Sequence, residues 1–541
     1  MMPDGKRPFR RPSQCMTNAA AGVFLDRTFA SVSARPLPPR DRDVRSRNAK
    51  ANPKYPVSPP RYQRSSGPES VGIVVDVGTT VSALGVPRRE AIMSKNSSSS
   101  TRRAVLAGSA AVGAASLLAA RLAAAGDTPP NQPSNQGASS MDNLGDNAIR
   151  PFKFKASDEA LTDLRRRVTA TKWPSRELVT DASQGVQLAT MRELAGYWQT
   201  DYNWRRFETK LNALPQFSTT IDGVDIHFIH VRSKHPNAFP VIVTHGWPGS
   251  IIEQMKIVEP LTNPTVNGGS ASDAFDVVIP SLPGHGFSGK PTTIGWDPVR
   301  IARAWIVLMK RLGYTRYVAQ GGDWGNAVTE QMALLSPPEL AGIHTNMPAT
   351  IPDGIATALQ SGGPVPSGLS ADERYAYDQL DFFYKHGVAY AQEMGNRPQT
   401  LYGIEDSPIG LASWMLDHDA RSYALIARVF AGQAEGLTRD DILDNATLYW
   451  LTNTGVSSAR LYWESKLPFF APKGVAIPVA VSAFPDEIYT APRSWTEAAY
   501  PRLIYYNRLA KGGHFAAWEQ PAIFAKEIRA SFRSLRQSHS G

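Results

Sequence analysis

The sequence predicts an α/β fold in which a mostly parallel β-sheet is flanked by helices. Three observations predict it. After residue 149, short continuous apolar segments alternate with segments of helical period, which is typical of buried parallel strands joined by helices. A glycine-rich turn at 321–325 links one of these strands to a helix. Residues 351–470 replace the alternation with helical, aromatic-rich sequence, which indicates a helical insertion between two parts of the sheet.

The first 150 residues differ in composition from the rest of the 541-residue chain. They carry 21 of the 58 Lys and Arg residues and 10 of the 48 Asp and Glu residues, a net charge of +11, whereas residues 151–541 carry a net charge of −1. All 12 tryptophans lie after residue 150. The positive charge therefore lies entirely in the first 150 residues, which excludes a uniformly basic nucleic-acid-binding protein, and we expect no nucleic-acid partner.

Two segments before residue 149 predict no fold. Residues 1–92 are rich in Arg, Pro and Ser, and such a composition cannot bury enough apolar surface to offset the entropy of ordering. They predict a disordered leader. The alternative is that the start of the protein is incorrectly assigned and that the chain begins at Met93, the second candidate start. Residues 126–148 predict a polar linker. The only cysteine, Cys15, excludes a disulfide scaffold and a cysteine site in the aromatic-rich part.

Residues 93–125 have the three-part layout of an export signal. Arg102 and Arg103 precede an apolar stretch that ends in small residues. Paired arginines are typical of a twin-arginine signal, so we expect a bacterial protein that is exported to the periplasm or secreted. The apolar stretch is marginal for spanning a bilayer, so we expect no stable membrane anchor after cleavage. Tethering by an uncleaved signal is the alternative.

Residues 149–238 predict an N-terminal domain of helices and a hairpin. A capped amphipathic helix is predicted over 157–168, and a second helix over 188–202. Alternating apolar residues flank Asp222-Gly223, which predicts a β-hairpin over 217–231.

The predicted sheet comes from two parts of the chain, 239–350 and 471–535, which enclose a helical cap at 351–470. Its strands are predicted at 241–244, 276–280, 317–320 and 477–482. Helices in its first part are predicted at 297–312 and 326–335.

The turn Gly321-Gly322-Asp323-Trp324-Gly325 follows a predicted strand and opens a predicted helix. Glycines allow a sharp turn that raises the central side chain above the sheet, as in the nucleophile elbow of esterases. Asp323 stands where esterases have Ser, which predicts a carboxylate nucleophile. An Asp that only caps the helix is the alternative.

The segment His-Gly-Trp-Pro-Gly-Ser at 245–250 directly follows another predicted strand. In this architecture the oxyanion hole is built there. The expected donors are the backbone N–H groups of Trp247 and Trp324, which would stabilise negative charge on the Asp323 carboxyl oxygen when water attacks an ester.

His514 is the predicted general base. It follows two glycines and precedes a helix, and a base late in the chain suits the order nucleophile, acid, histidine. The acid should follow the strand that ends near residue 483, where Asp486 and Glu487 stand side by side. Adjacent side chains point in different directions, so one of them reaches His514, and the residues alone leave both open.

Together these motifs resemble those of the microsomal-type epoxide hydrolases. The resemblance extends over residues 149–529 and also includes Asp-Ser-Pro-Ile-Gly-Leu-Ala at 406–412. It implies an α/β-hydrolase fold with an N-terminal domain and a helical cap, and hydrolysis of epoxides to vicinal diols. Of the two carboxylates, it implies Glu487 as the acid.

The resemblance also implies two cap tyrosines that hydrogen-bond the epoxide oxygen, Tyr390 and Tyr462. Around Tyr390 the sequence departs from the eukaryotic pattern, with Ala389 where Gly is usual. The implied reaction is attack of Asp323 on an epoxide carbon, followed by hydrolysis of the ester by water that His514 activates.

The expected partners are a small apolar epoxide and water, with the epoxide bound among Trp247, Trp324, Tyr390 and Tyr462. No metal or redox cofactor is expected, since the reaction needs none and the sequence carries no dinucleotide or phosphate-binding fingerprint. Two alternatives remain open. One is a haloalkane or haloacid dehalogenase that uses the same Asp, His and acid, and the other is a non-catalytic binding module of the same fold.

Overall fold

The structure is a computed structural model that describes residues 147–433 and 435–536. The predicted leader and export signal, and the linker up to residue 146, lie outside the described residues. Within them the predicted fold class is confirmed, since a mostly parallel sheet is flanked by helices. No helix in the described part of the chain combines the length and apolar character needed to cross a membrane.

The N-terminal segment supplies three strands and three helices. They are β1 (Arg150–Pro151), α1 (Asp158–Thr169), α2 (Leu188–Thr200), α3 (Trp204–Ala213), β2 (Gln216–Ile221) and β3 (Val224–Val231). The predicted hairpin is confirmed, because β2 and β3 pair antiparallel with Ile221 opposite Val224. Helix α3 is an addition to the predicted elements.

The first part of the central sheet alternates strands with helices. Its elements are β4 (Phe239–Thr244), α4 (Ile251–Thr262), β5 (Phe275–Pro280), α5 (Pro298–Arg311), β6 (Tyr317–Gly321), α6 (Trp324–Leu335) and β7 (Leu340–Thr345). Strand β4 pairs parallel with β5 and β6, and β6 pairs parallel with β7.

The chain between β7 and its return to the sheet is helical. The helices are α7 (Asp353–Ser361), α8 (Ala371–Phe382), α9 (Ala389–Asn396), α10 (Tyr402–Asp406), α11 (Pro408–Leu416), α12 (Ala420–Phe430), α13 (Arg439–Thr452) and α14 (Gly455–Glu464). A π-helical turn, Phe383–Gly387, joins α8 to the start of α9. We call these helices the cap.

The last part of the chain completes the sheet. Its elements are β8 (Val479–Ala483), α15 (Arg493–Ala499), β9 (Leu503–Arg508), α16 (Ala516–Glu519), α17 (Pro521–Ser531) and α18 (Arg533–Arg536). Over the described residues the strand order is β1-β2-β3-β5-β4-β6-β7-β8-β9. Strand β2 pairs antiparallel with β1 and with β3, and β3 pairs antiparallel with β5. All the other neighbouring strands in this order pair parallel.

The buried strands explain why the sequence shows continuous apolar runs. Residues 241–243 of β4 and 277–279 of β5 are fully buried, as expected for strands covered on both faces. Helix α5 is amphipathic and capped by Asp297, whose side chain accepts from the Arg300 N–H at 2.9 Å. The carboxyl ends of β4, β6 and β8 meet at one edge of the sheet, where the predicted site residues follow.

Candidate active site

Asp323 occupies a strained turn between β6 and α6. Its backbone lies in the left-handed region, with φ 51° and ψ −128°, which a non-glycine residue adopts at an energetic cost. A Cβ at Gly321 would overlap the Gly325 carbonyl oxygen, and one at Gly325 would overlap the Thr244 carbonyl oxygen. Both glycines therefore permit the close packing that raises the Asp323 carboxylate above the sheet edge.

The loop after β4 provides one donor to this carboxylate. The Trp247 N–H donates to Asp323 Oδ1 at 2.8 Å. The cap holds this loop in place: Asn445 of α13 donates to the Pro248 carbonyl at 2.8 Å, and Tyr449 donates to the Gly249 carbonyl at 2.7 Å. The predicted donor Trp247 thus lies at Asp323, and the cap fixes its position.

His514 and Glu487 form a buried pair next to Asp323. His514 Nδ1 lies 2.5 Å from Glu487 Oε1, and His514 Nε2 lies 3.9 Å from Asp323 Oδ2. The Asp486 carboxylate is 60% exposed and forms an ion pair with Arg421 at 3.2 Å. Of the two adjacent carboxylates, the structure therefore brings Glu487 to the histidine.

The electrostatics of this pair favour a charged histidine. Burial alone would lower the pKa of His514, but the carboxylates of Glu487, Asp323 and Asp419 outweigh it and raise that pKa to about 10. In the absence of substrate, His514 is therefore protonated at neutral pH and lies as a cation between carboxylates.

Glu519, which the sequence did not indicate, shapes the loop that carries His514. Its two carboxylate oxygens accept from the N–H groups of Gly513 at 2.8 Å and Phe515 at 3.1 Å, on either side of the histidine. A carboxylate that follows a Gly-Gly-His turn by five residues is the sequence signal that could have indicated this role.

The two predicted cap tyrosines lie over the same region. Tyr390 stacks on Trp247 at 5.3 Å between ring centroids, and Tyr462 meets Trp324 edge-on at 4.7 Å. The two tyrosine rings are 6.0 Å apart. Phe469 also packs against Trp324, with 4.9 Å between the ring centroids. The four predicted substrate-binding residues therefore converge in an aromatic environment beside Asp323.

The cap adds a second buried histidine that no motif indicated. His418 Nδ1 lies 3.2 Å from Asp419 Oδ2, and the ring of His418 is 4.5 Å from that of His514. His418 Nε2 is buried and has no hydrogen-bond partner among the described residues. Asp323, His418 and His514 each present a ligand atom within 4.8 Å of the others, so these three residues could hold a metal ion.

Cavity size does not locate this site. Two surface cavities of about 640 and 530 Å³ lie elsewhere, one beside residues 171–178 and one beside residues 291–296. A cavity of about 240 Å³ extends from Tyr375 and Phe382 to the buried Glu487. A cavity of about 20 Å³ borders Asp323 itself. The chemistry of the converging groups, rather than volume, identifies the candidate active site.

Comparison with known proteins gives the family. The family described as "Epoxide hydrolase N terminus" matches residues 149–254, and the "alpha/beta hydrolase fold" family matches residues 240–521. A Stigmatella aurantiaca protein that carries the name of an epoxide hydrolase is 49% identical over 396 residues, which cover 72% of this chain and 86% of the relative. The chain belongs to the epoxide hydrolase family. Epoxide hydrolase 1 of Oryctolagus cuniculus is 34% identical over 405 residues, covering 71% of this chain and 89% of the relative.

Solved structures agree with this membership. The juvenile hormone epoxide hydrolase of the silkworm Bombyx mori superimposes with a TM-score of 0.64 at 28% identity and covers 72% of this chain and 96% of its own. The Aspergillus niger epoxide hydrolase gives a TM-score of 0.60 at 29% identity with the same coverage. The chain therefore shares its fold with solved epoxide hydrolases over 72% of its length.

Proposed function

We propose that this member of the epoxide hydrolase family converts small apolar epoxides to vicinal diols through a covalent ester of Asp323. One observation carries the proposal. The Asp323 carboxylate is held at Oδ1 by the Trp247 N–H, while its Oδ2 lies 3.9 Å from the imidazole of a His514–Glu487 pair. A nucleophile, an anion-stabilising donor and an oriented base therefore meet at one carboxylate.

In the first step, Oδ2 of Asp323 attacks an epoxide carbon and the bond from that carbon to the ring oxygen breaks. Tyr390 and Tyr462 donate hydrogen bonds to the ring oxygen, and one of them gives it a proton. Burial raises the pKa of both tyrosines well above the ordinary tyrosine value, so both hydroxyls keep their protons until the ring opens. The product of this step is a hydroxyalkyl ester.

Forming the ester converts His514 into a base. The negative charge of Asp323 is one of the causes that raise the pKa of His514, and esterification removes that charge. The pKa of His514 therefore falls. His514 then gives its proton to the tyrosinate, which restores the tyrosine hydroxyl. Neutral His514, oriented by Glu487, can then accept a proton from water.

In the second step, the hydroxide formed in this way adds to the carbonyl carbon of the Asp323 ester. The negative charge develops on Oδ1, where the Trp247 N–H and the proposed second donor, the Trp324 N–H, stabilise it. The bond from the carbonyl carbon to Oδ2 then breaks, and the leaving alkoxide takes the proton from His514. The new carboxylic acid of Asp323 returns its proton to His514, which restores the resting state.

An oxygen-18 single turnover tests this scheme. The enzyme, in excess over styrene oxide, reacts in oxygen-18 water, and peptide mass spectrometry locates the label. The scheme requires one oxygen-18 in the Asp323 carboxylate and an unlabelled diol. Label in the diol after the first turnover would mean direct attack by water. Halide release from haloalkanes without diol formation from epoxides would support the dehalogenase alternative instead.

We further propose that residues 93–125 export the enzyme and that residues 149–535 form the catalytic unit. The paired Arg102 and Arg103 before an apolar stretch support the first part. Fractionation of cells that express the full chain and an Arg102→Lys/Arg103→Lys variant tests it: the wild-type enzyme should be found outside the cytoplasm and the variant inside. A chain that begins at Met141 should retain full activity on styrene oxide, and loss of activity would contradict the second part.

A further inference from the structure

A small cavity lies beside the nucleophile. Its volume is about 20 Å³, enough for one water molecule, which needs roughly 10–15 Å³. The lining residues are Gly246, Glu253, Gln254, Gly322, Asp323, Asn346, His514, Phe515, Ala516, Ala517 and Phe524. None of these lies in the cap, so the cavity is on the core side of Asp323, away from the tyrosines.

Two residues that line this cavity each have a polar side-chain atom without a protein partner. Glu253 Oε2 and Gln254 Oε1 are buried and have no hydrogen-bond partner among the described residues. A void lined by unpaired polar atoms holds water, whereas a dry cavity is apolar. The cavity therefore meets both requirements for an ordered water, space and polar partners.

Glu253 is held firmly at this position. It lies in the first turn of α4, and its Oε1 accepts from Gln254 Nε2 at 2.8 Å. A Cβ at position 249 would overlap Glu253 Oε2, so Gly249 leaves room for the carboxyl group. The Glu253 side chain is buried among core residues, and the two-step scheme above assigns it no role.

We propose that this cavity binds the hydrolytic water and that Glu253 is the positioning residue that aims it at the Asp323 ester. The inference rests on the proposed covalent scheme. The water contacts Glu253 Oε2 on one side and His514 Nε2 on the other. It therefore attacks from the core side while the alkyl group of the ester occupies the cap side.

The chemistry of Glu253 suits this role. Burial, with a smaller contribution from the Asp323 charge, raises the pKa of Glu253 to about 8, so the carboxyl group is mostly uncharged at neutral pH. An uncharged carboxyl group both donates and accepts hydrogen bonds. It can hold a water without competing with His514 for the proton. A glutamine at this position offers the same donor and acceptor.

Three variants separate positioning from folding. Glu253→Met keeps the length of the side chain but removes its hydrogen bonds, Glu253→Gln keeps them, and Glu259→Met changes an exposed carboxylate on the same helix. With styrene oxide, single-turnover kinetics measure the rate of ester formation and the rate of ester hydrolysis separately. Mass spectrometry of the quenched enzyme follows the ester.

The expected result is a split between the two rates. Ester hydrolysis in Glu253→Met falls roughly 100-fold, so the ester accumulates, while ester formation stays within about threefold of wild type. Glu253→Gln restores hydrolysis to within about fivefold, and Glu259→Met behaves as wild type. Equal rates of hydrolysis in wild type and Glu253→Met would overturn the inference. So would equal losses in both steps, since these indicate a structural role.

A second measurement does not depend on any variant folding. A high-resolution crystal structure of the wild-type enzyme should show an ordered water between Glu253 Oε2 and His514 Nε2, and an empty cavity would overturn the inference. If wild type formed no ester at all, the covalent scheme itself would fail. That outcome is distinct from an ester that forms and is hydrolysed equally well without Glu253.

Discussion

Replacing Glu487 with glutamine removes a negative charge from the side of His514 and keeps the shape of the side chain. In the wild type the two side chains are in contact at 2.5 Å, and both are almost fully buried. The amide oxygen of the introduced glutamine could still accept from His514 Nδ1, so the Glu487→Gln variant tests the charge rather than the hydrogen bond.

The magnitude follows from the pKa of His514. Its pKa is about 10 in the folded chain, against an ordinary value of 6.5. This difference adds roughly 5 kcal/mol to the free energy of unfolding when His514 is protonated in both states. This stabilisation is fully present below pH 6.5 and is lost as the pH rises through about 10. Removing one partner of a buried pair costs roughly 3–5 kcal/mol. His514 can lose its proton in the variant, so we expect the lower end, about 3 kcal/mol, at pH 6.

Two assays measure the effect. Urea unfolding from pH 6 to pH 10 should show wild type losing stability as the pH rises, and Glu487→Gln should be less stable at pH 6 with a flatter profile. Single-turnover kinetics should show ester hydrolysis slowed by roughly 10²–10⁴-fold, because the imidazolium formed in that step loses its stabilising carboxylate. Ester formation should change much less.

Asp486→Asn is the matched control. It removes the same charge one residue earlier, from a side chain that is 60% exposed and paired with Arg421. An exposed pair contributes roughly 0–1 kcal/mol, so this variant should keep both the stability and the hydrolysis rate of wild type. If Asp486→Asn lost ester hydrolysis and Glu487→Gln kept it, the assignment of the acid would be refuted.

Three further predictions concern the surroundings of this pair. Tyr390→Phe or Tyr462→Phe should each slow ester formation roughly 10- to 100-fold, because a hydrogen bond to a charged group contributes roughly 1.5–3 kcal/mol. The double variant should form no detectable ester. Unchanged ester formation in the double variant would contradict the role of both tyrosines. Glu519→Gln should lower the free energy of unfolding by roughly 1–3 kcal/mol. Only one terminal atom of an amide accepts hydrogen bonds, so the glutamine loses the bond from the N–H of Gly513 or of Phe515. An unchanged urea midpoint would contradict this prediction. Zn²⁺ should inhibit diol formation reversibly by displacing the proton of His514 and binding Asp323, His418 and His514. Inhibition of His418→Ala should be weaker by roughly tenfold or more, and chelation should restore the activity of the wild type. Equal inhibition of both proteins would exclude His418 as a ligand.

Local sequence signals predicted the parts of the fold that depend on local interactions. The buried strands are visible as apolar runs, and the hairpin at Asp222-Gly223 as alternation around a turn. Strands β7 and β9 were not predicted. Strand β7 contains Gly342 and His344, whose place in the sheet depends on neighbouring strands from distant parts of the chain. A Cβ at Gly342 would lie 3.0 Å from the Pro478 carbonyl oxygen, so this glycine serves close packing rather than a turn.

The site shows the same division. Asp323 and Trp247 stand in motifs whose glycines and prolines determine local geometry, and the structure brings both together. Choosing between the adjacent Asp486 and Glu487 requires the direction of each side chain, which packing decides. His418 and Glu253 belong to no motif. His418 reaches the site from the cap, where its ring lies 4.5 Å from that of His514, and Glu253 reaches it from the first turn of α4. Residue patterns therefore indicate the nucleophile, the base and the residues that stand in motifs, but not His418 or Glu253.

The location of these groups divides the reaction between two sides of one carboxylate. The cap side of Asp323 holds Tyr390 and Tyr462, which act while the epoxide ring opens. The core side holds His514 and the small cavity at Glu253, which act while the ester is hydrolysed. The same ester is the product of the first step and the reactant of the second. The tyrosines on the cap side and His514 on the core side must therefore both fit around it at the same time. A cap side chain can then change substrate preference without slowing hydrolysis, whereas a change on the core side slows hydrolysis for every substrate.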